Sequence, residues 1–563
     1  MKRKKLLLFI TIMLAISMMF TACVQKLQPD ETDPGGTIDT STTSDKGSGN
    51  DIMPIVKDKL TLKVLMYQGS NPDIIPSGDD PIYKELERLT NIALDIDILP
   101  WDDPITRLTA ALAAEEYFDI ISLATESETF DTFGMEGALI PLRDLIEEHA
   151  LNMKRAFDNS LEGDVLPYSQ NVWSEISASD GNIYYVPTLD STNSIGEIYA
   201  IRDDWLKALN LELPETTDDF YNVLKAFRTN DLNGNNQEDE IPFGFQGGHF
   251  TRVASFINGF DAHLSLYVDD ADDTIKFGPV EEAWKEGMAY LNMLYKEQLI
   301  DNEFRPGESK TRWQSLISAN RLGMMHCWPM SGICAANNEL KKIDESYGFV
   351  PILPLKSSSG KRYSDTSSSG STVVPGAAAI TSWSRYPTEV IKLLDFLYSE
   401  EGIILSTYGV ESLHYNMVNG NPVFTDLIMD HPEGIDPQSA SKLERASIGF
   451  STIHRWDSSI QLMRDFPEVI DAWKLYREPG IVEAPLPKLH FREDELEKGP
   501  AIMNEILAYI GKGYVGDKLT AFIVGLEPLD KYDDFVAQIK GMGLEEALRI
   551  YNDAYARYKS FSK

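Results

Sequence analysis

The sequence predicts an α/β protein with two lobes around a central cleft and a helical C-terminal part. Three observations carry that expectation. At 563 residues the chain is too long for a single hydrophobic core. Apolar strands alternate with amphipathic helices near residue 60 and again near Ile198, the rhythm of sheets flanked by helices. The C-terminal segment, from NEILAYI onward, reads as mainly helical.

The first alternation starts with LTLKVLMY, in which apolar and polar residues alternate as in a half-buried strand. DDPIYKELERLTNI has helical spacing, ALDIDILP reads as a second strand, DDPITRLTAALAAEEY as a second helix, and FDIISLA as a buried third strand. In the second alternation, IYAIRDDWLKALNL predicts a strand that turns into a helix at Asp203. TTDDFYNVLKAFRT opens with a Thr-Asp cap, and VEEAWKEGMAYLNMLYKEQLI places Trp284, Met288, Leu291 and Tyr295 on one face. VPGAAAIT is a small-residue strand, and RYPTEVIKLLDFLYSEEG predicts one amphipathic helix ending at Gly402.

Composition narrows the function. With 43% hydrophobic and 10% aromatic residues the chain has an ample core. A formal charge of −37, spread along the chain, excludes nucleic acid as a natural partner and disfavours a polyanionic ligand unless a local basic pocket intervenes. A neutral ligand that stacks on aromatic rings fits better.

The N-terminus reads as an export signal. MKRKK is followed by the apolar run LLLFITIMLAISMMF, shorter than a spanning helix, and then by Thr21-Ala22-Cys23. The cysteine after small residues resembles the lipobox of bacterial lipoproteins, with Phe20 where that family usually has Leu. Residues 1–22 are thus expected as a lipoprotein signal peptide, with Cys23 as the lipidated residue; ordinary cleavage and an uncleaved anchor are the other readings. Residues 23–59 are rich in Thr, Ser, Gly and Asp and read as a flexible tether. Cys327 and Cys334 could form a disulfide in an exported protein or remain buried thiols, and a zinc site using His326 lacks further ligands.

Phosphate-loop, dinucleotide, zinc-protease and nucleophile-elbow motifs are absent, so nothing nominates a catalytic centre. DLNGNNQEDEIPFGF is different. With Asp231 as position 1, Asn233, Asn235, Gln237 and Asp239 follow at alternate positions, and Glu240 at position 10 stands in for the bidentate Glu of an EF-hand. Side-chain oxygens from Asp231, Asn233, Asn235, Asp239 and Glu240, with the backbone carbonyl of Gln237, would suit calcium; a plain Asx-rich loop is the alternative. Asn236, at the position EF-hands reserve for Gly, can adopt the required left-handed conformation. The expected role is structural.

Saccharides stack on Trp and Tyr and bond to carboxylates, amides and His, so such residues on loops after strands are ligand candidates. Gln68 ends the first strand, Trp101 follows the second and Glu126 the third. Tyr185 lies in YYVPTL, Trp328 follows RLGMMHC, Glu411, His414 and Tyr415 lie in GVESLHY, and Trp456 in IHRWD.

The order of these segments resembles the family 1 extracellular solute-binding proteins, in particular LipO-like lipoproteins of Gram-positive bacteria. The resemblance runs from about residue 60 to the C-terminus, through FDIISLA, GALIPLRDLIEEHA, DGNIYYVPTL, the DLNGNNQEDEIPFGF loop, MLYKEQLIDNEF, LLDFLYSEEGIILSTYGVESLHY and ALRIYNDAYARYK. It implies a type 2 periplasmic-binding-protein fold, with one lobe from 60–187 and 376–455 and the other from 188–375 and 456–563, the latter carrying the loop 231–242. It implies a monomer, lipid-anchored on the outer face of the cell membrane, that captures an oligosaccharide for the permease subunits of an ABC importer without catalysis. The Asp/Asn loop is similar to the calcium loop of alginate-binding proteins, a related branch. A surface carbohydrate-active enzyme and a sensor or adhesion lipoprotein are the competing readings.

Overall fold

The chain divides into 1–51 and a folded unit, 52–563. The computed structural model describes residues 54–561 except 69–73, 101, 124–126, 159–170, 191–196, 246–254, 270, 304–310, 364–372, 446–448, 451, 477–485 and 511–516. The expected signal peptide, Cys23 and most of the expected tether lie outside the described residues, as do Trp101 and Glu126.

The first strands form where the alternation places them: β1 at Leu60–Tyr67, β2 at Ile92–Leu99 and β3 at Ile120–Ser122. Helices Pro81–Thr90 and Pro104–Ala113 connect them, each with proline in its first turn, where the missing N–H costs nothing. Strands β4 (Val186–Asp190), β11 (Val373–Ile380) and β14 (Ile453–His454) complete a six-stranded sheet in the order β14-β4-β11-β3-β1-β2. All its pairings are parallel except those of β11, which runs antiparallel to β3 and β4. One hydrophobic cluster holds this sheet to its helices, from Leu62 and Ile82 through Phe130 and Ile146 to Leu394 and Ile453.

A second sheet has the order β10-β5-β9-β6, built from β5 (Ile198–Arg202), β6 (Ile241–Phe245), β9 (Leu322–Cys327) and β10 (Phe349–Ile352). Both faces of β5 and β9 are buried, so these two strands are chiefly apolar instead of alternating, with Arg202 and His326 as exceptions. Tyr199, Ile201 and Met324 face one cluster, which includes the C-terminal helices, while Ile198, Ala200 and Met325 face another, built with Trp313 and Trp473. Between β6 and β9 a small hairpin pairs β7 (Leu266–Asp269) with β8 (Thr274–Phe277), and a second pairs β12 (Tyr415–Val418) with β13 (Asn421–Phe424).

Local signals hold closely. The helix after β5 starts at Asp203, and Thr216 and Asp219 make a full capping box for helix Thr217–Arg228. Helix Glu282–Lys296 buries Trp284, Met288 and Leu291. From Gly499 the described chain is chiefly helical, ending in Leu544–Ser560.

One expectation is corrected. The single helix ending at Gly402 is two helices, Pro387–Phe396 and Glu400–Tyr408, and Gly402 lies in the first turn of the second. Ser399 caps that helix, its hydroxyl accepting from the Gly402 N–H. A Cβ at Gly402 would sit 2.0 Å from the Phe396 carbonyl oxygen, so glycine serves a close approach here, not a helix end.

Candidate binding cleft and cation loop

Strand direction defines the site. The carboxyl ends of β1, β2, β3, β4 and β14 share one edge of the first sheet, with the amino end of β11 among them. In the second sheet, β9 and β10 end, and β5 begins, on one edge, where Cys327 pairs with Ile198 and Ile352 with Tyr199. Three connections join these two edges: β4 to β5, β10 to β11, and β14 to the helices beginning at Trp456. Ligands of such folds bind outside the carboxyl ends of strands, where the chain changes sheet.

On the first edge stand Gln68, Leu123, Asp190, His454, Arg455 and Trp456. Asp190 and His454 are opposite each other in the β4–β14 register. Burial lowers the His454 pKa, opposed by the Asp190 carboxylate. The segment at Gly449 lies across the ends of β1 and β3. Ser122 donates to the Gly449 carbonyl at 2.8 Å, and the Gly449 N–H reaches the Tyr83 hydroxyl at 3.3 Å. A Cβ at Gly449 would come within 2.7 Å of Met66 Sδ, so any larger residue here would have to displace the Met66 side chain. On the second edge, half-buried Trp328 follows β9, and buried His326 meets Glu197 at 3.4 Å while stacking on Tyr199.

Of the sequence candidates among the described residues, Gln68, Trp328 and Trp456 stand on these edges, Trp456 stacked on Trp473. Three others lie away from these edges. Tyr185 is wholly buried and packs on Phe130, because β4 begins at Val186 and Tyr185 therefore lies at its amino end. His414 is 1% exposed and accepts the Val410 N–H on Nδ1, closing the turn before the hairpin. Tyr415 packs with Tyr408 and Phe424 in the hairpin's own small core. Glu411 is exposed in the same turn. Asp190, His454, Glu197 and His326 are not among the sequence candidates. Their signal is a titratable residue closing or opening an apolar strand.

The Asp/Asn loop folds around Asp231. Its carboxylate accepts the N–H groups of Gly234, Asn235 and Asn236 at 2.8–3.1 Å. Gly234 and Asn236 have φ of 76° and 59°, the left-handed region expected of Asn at position 6. The amides of Asn233 and Asn235 both converge on Asp239 Oδ1, and Gln237 is exposed. Glu240 is fully buried. Its Oε1 accepts from Leu232 and Asn233 N–H, while Oε2 is buried with no hydrogen-bond partner among the described residues. A buried carboxylate oxygen left open beside converging Asx side chains is what a hard cation would satisfy. Arg321 competes for Asp239 at 3.0 Å. Among the described residues no group of three or more His, Cys, Asp or Glu is placed to hold a metal, so the shell would depend on amide and backbone oxygens. Cys327 and Cys334 are buried and not joined in a disulfide. Among the described residues no helix is long and apolar enough to cross a membrane.

Two α/β sheets linked by three crossovers make the type 2 periplasmic-binding-protein fold. The chain belongs to the bacterial extracellular solute-binding protein family, whose sequence profile matches residues 71–404. It is 25% identical to the fructooligosaccharide ABC transporter substrate-binding protein FusA of Streptococcus pneumoniae, over 76% of this chain and 77% of FusA. It is 24% identical to the lipoprotein LipO of Bacillus subtilis (92% and 95% covered). To the polygalacturonan/rhamnogalacturonan-binding protein YtcQ of the same organism it is also 24% identical (90% and 93%). Among solved structures it resembles the alginate-binding protein AlgQ2 without calcium ion, at TM-score 0.62 and 26% identity, covering 89% of this chain and 99% of AlgQ2. It also resembles FusA in complex with kestose, at TM-score 0.61 and 22% identity, with the same coverage.

Proposed function

We propose that this chain captures a neutral oligosaccharide between two lobes and delivers it to the permease subunits of an ABC importer, without transforming it. The lobes are 60–187 with 376–455, and 188–375 with 456–563. Separate hydrophobic clusters for the two sheets support the division, with β4 extending the first lobe to Asp190 and β11 rejoining it at Val373. The observation that carries the reading is the meeting of strand ends at three crossovers. Trp328 and Trp456 would stack on sugar rings, and Gln68, Asp190 and Glu197, with Trp101 and Glu126, would bond to hydroxyls. The net charge of −37 and the carboxylates on both edges favour a neutral sugar over a uronate polymer. FusA, a relative, is a fructooligosaccharide-binding protein.

Acylation of Cys23 would tether the receptor to the outer face of the cell membrane. Calcium, held by Asp231, Asn233, Asn235, Asp239, Glu240 and the Gln237 carbonyl, would pin the loop that joins helix Thr217–Arg228 to β6. The ion's contribution is structural.

A thermal-unfolding screen of the protein against neutral and acidic oligosaccharides, with and without EDTA, tests this reading. A neutral oligosaccharide should raise the melting temperature in a concentration-dependent way, and EDTA should lower it. If no saccharide shifts it, the ligand class fails. If EDTA leaves it unchanged and metal analysis finds no calcium, the cation assignment fails.

A further inference from the structure

His490 precedes helix Glu493–Leu496 and is 5% exposed. Both ring nitrogens meet oxygens from elements of the first hydrophobic cluster. Nδ1 is 2.5 Å from Oδ2 of Asp131, in helix Ser127–Met135, and Nε2 is 2.7 Å from the carbonyl of Glu175, in helix Val172–Glu175. A carbonyl and an ionised carboxylate only accept hydrogen bonds, so both contacts are made together when both nitrogens carry protons. The geometry therefore calls for an imidazolium buried against a carboxylate. Asp131 has little else to hold it: its Oδ1 is buried with no hydrogen-bond partner among the described residues.

Glu175 extends the contact. Its side chain is fully buried, with Oε2 accepting the Lys488 N–H at 3.1 Å and Oε1 the Tyr558 hydroxyl at 3.4 Å. Arg557 donates to the His490 carbonyl at 3.0 Å and also pairs with Glu495. Lys488, His490 and Tyr558 belong to the other side of the molecule. Leu489 packs with Ile275 and Ala554, and helix Leu544–Ser560 buries Leu544 and Ala547 in the second sheet's cluster. Two helices packed on one sheet thus grip a segment and a helix packed on the other.

We propose that His490, Asp131 and Glu175 form a proton-dependent strut between the two lobes, and that its protonation sets how freely the lobes move about the crossovers. These are positioning residues that touch no ligand. The inference rests on the two-lobe reading above but not on the identity of the solute.

The charged and titratable groups around the strut are Glu128 and Asp131 on one helix, Tyr184 near Asp131, Glu175, Lys488, and Arg557 and Tyr558 on the last helix. Burial is the largest single influence and works against charge on His490, but the Asp131 hydrogen bond and carboxylate, the Glu175 carbonyl and Glu128 together outweigh it, so the pKa is raised. Burial pushes Glu175 up to about 7 from 4.5, with the Lys488 N–H and the His490 charge opposing. Both folded-state values are raised, so the stabilisation is complete in acid. Glu175's share is lost as pH rises from 4.5 through about 7, and His490's as pH passes above 6.5 through its raised value.

Hydrogen–deuterium exchange of the full chain, without ligand, tests the strut through peptides covering 172–178 and 486–492. After correction for intrinsic exchange, wild-type protection should fall at least about tenfold between about pH 6 and about pH 9. Glu175→Gln, an uncharged mimic of the protonated acid, should show a smaller fall. Asp131→Asn should be poorly protected at both values. If that variant does not fold by circular dichroism, the wild-type and Glu175→Gln profiles still decide. Equal wild-type protection at both pH values, or variants that follow the wild-type profile, would overturn the proposal. A failed saccharide screen would leave it standing.

Discussion

Trp328 directly follows β9 and Trp456 follows β14 after one intervening residue, at the edges from which the chain crosses between sheets, whereas Tyr185 lies at the opposite end of its strand. That difference makes a paired prediction. Trp328→Ala should weaken oligosaccharide binding at least about tenfold, as loss of an aromatic anchor commonly does. Tyr185→Phe should change it less than about twofold, because a wholly buried ring takes no ligand. Isothermal titration separates the two, and equal losses would contradict the assignment of edges. At this scale the sequence was readable where backbone rules dominate. Asn236 takes the left-handed conformation, and Thr216 and Asp219 cap their helix. The sequence is silent on which end of a strand a residue occupies. YYVPTLD does not announce that β4 begins at Val186, and so does not separate buried Tyr185 from Asp190 on the edge. His414 looked like a loop histidine because only the folded turn reveals its bond from Val410.

Elements were largely visible in the sequence because periodicity and capping are local. β1 spans the alternating LTLKVLMY run, and the helix after β5 starts at Asp203. The exception, the break at Ser399, turns on a close backbone approach: Gly402 allows the second helix to start against the Phe396 carbonyl. Ala is normally the better helix former, but here Gly402→Ala should destabilise the protein by about 2 kcal/mol or more through overpacking. Ser399→Ala should cost about 1 kcal/mol through loss of the N-cap bond. Chemical denaturation followed by circular dichroism reads both. A neutral or stabilising Gly402→Ala would show that the approach relaxes freely. The alternate Asp and Asn positions of the loop raise the expectation of a cation from spacing alone. The open Glu240 oxygen could be seen only once the loop was folded.

For the whole molecule, two sheets, separate hydrophobic clusters and three crossovers agree with the family that the segment order resembles. The division into two α/β regions followed from chain length and the repeated strand–helix rhythm. The strut did not, because Asp131, Glu175 and His490 are far apart in sequence and nothing local marks them as partners. The central claim is that this fold binds an oligosaccharide and releases it unchanged. The most direct measurement is calorimetric titration of the protein with the oligosaccharide that stabilises it best in the thermal screen, followed by chromatography of the recovered sugar. The account predicts saturable binding of one sugar per chain and recovery of intact oligosaccharide after long incubation. Shortened products accumulating in excess of the protein would make the cleft an active site and contradict it.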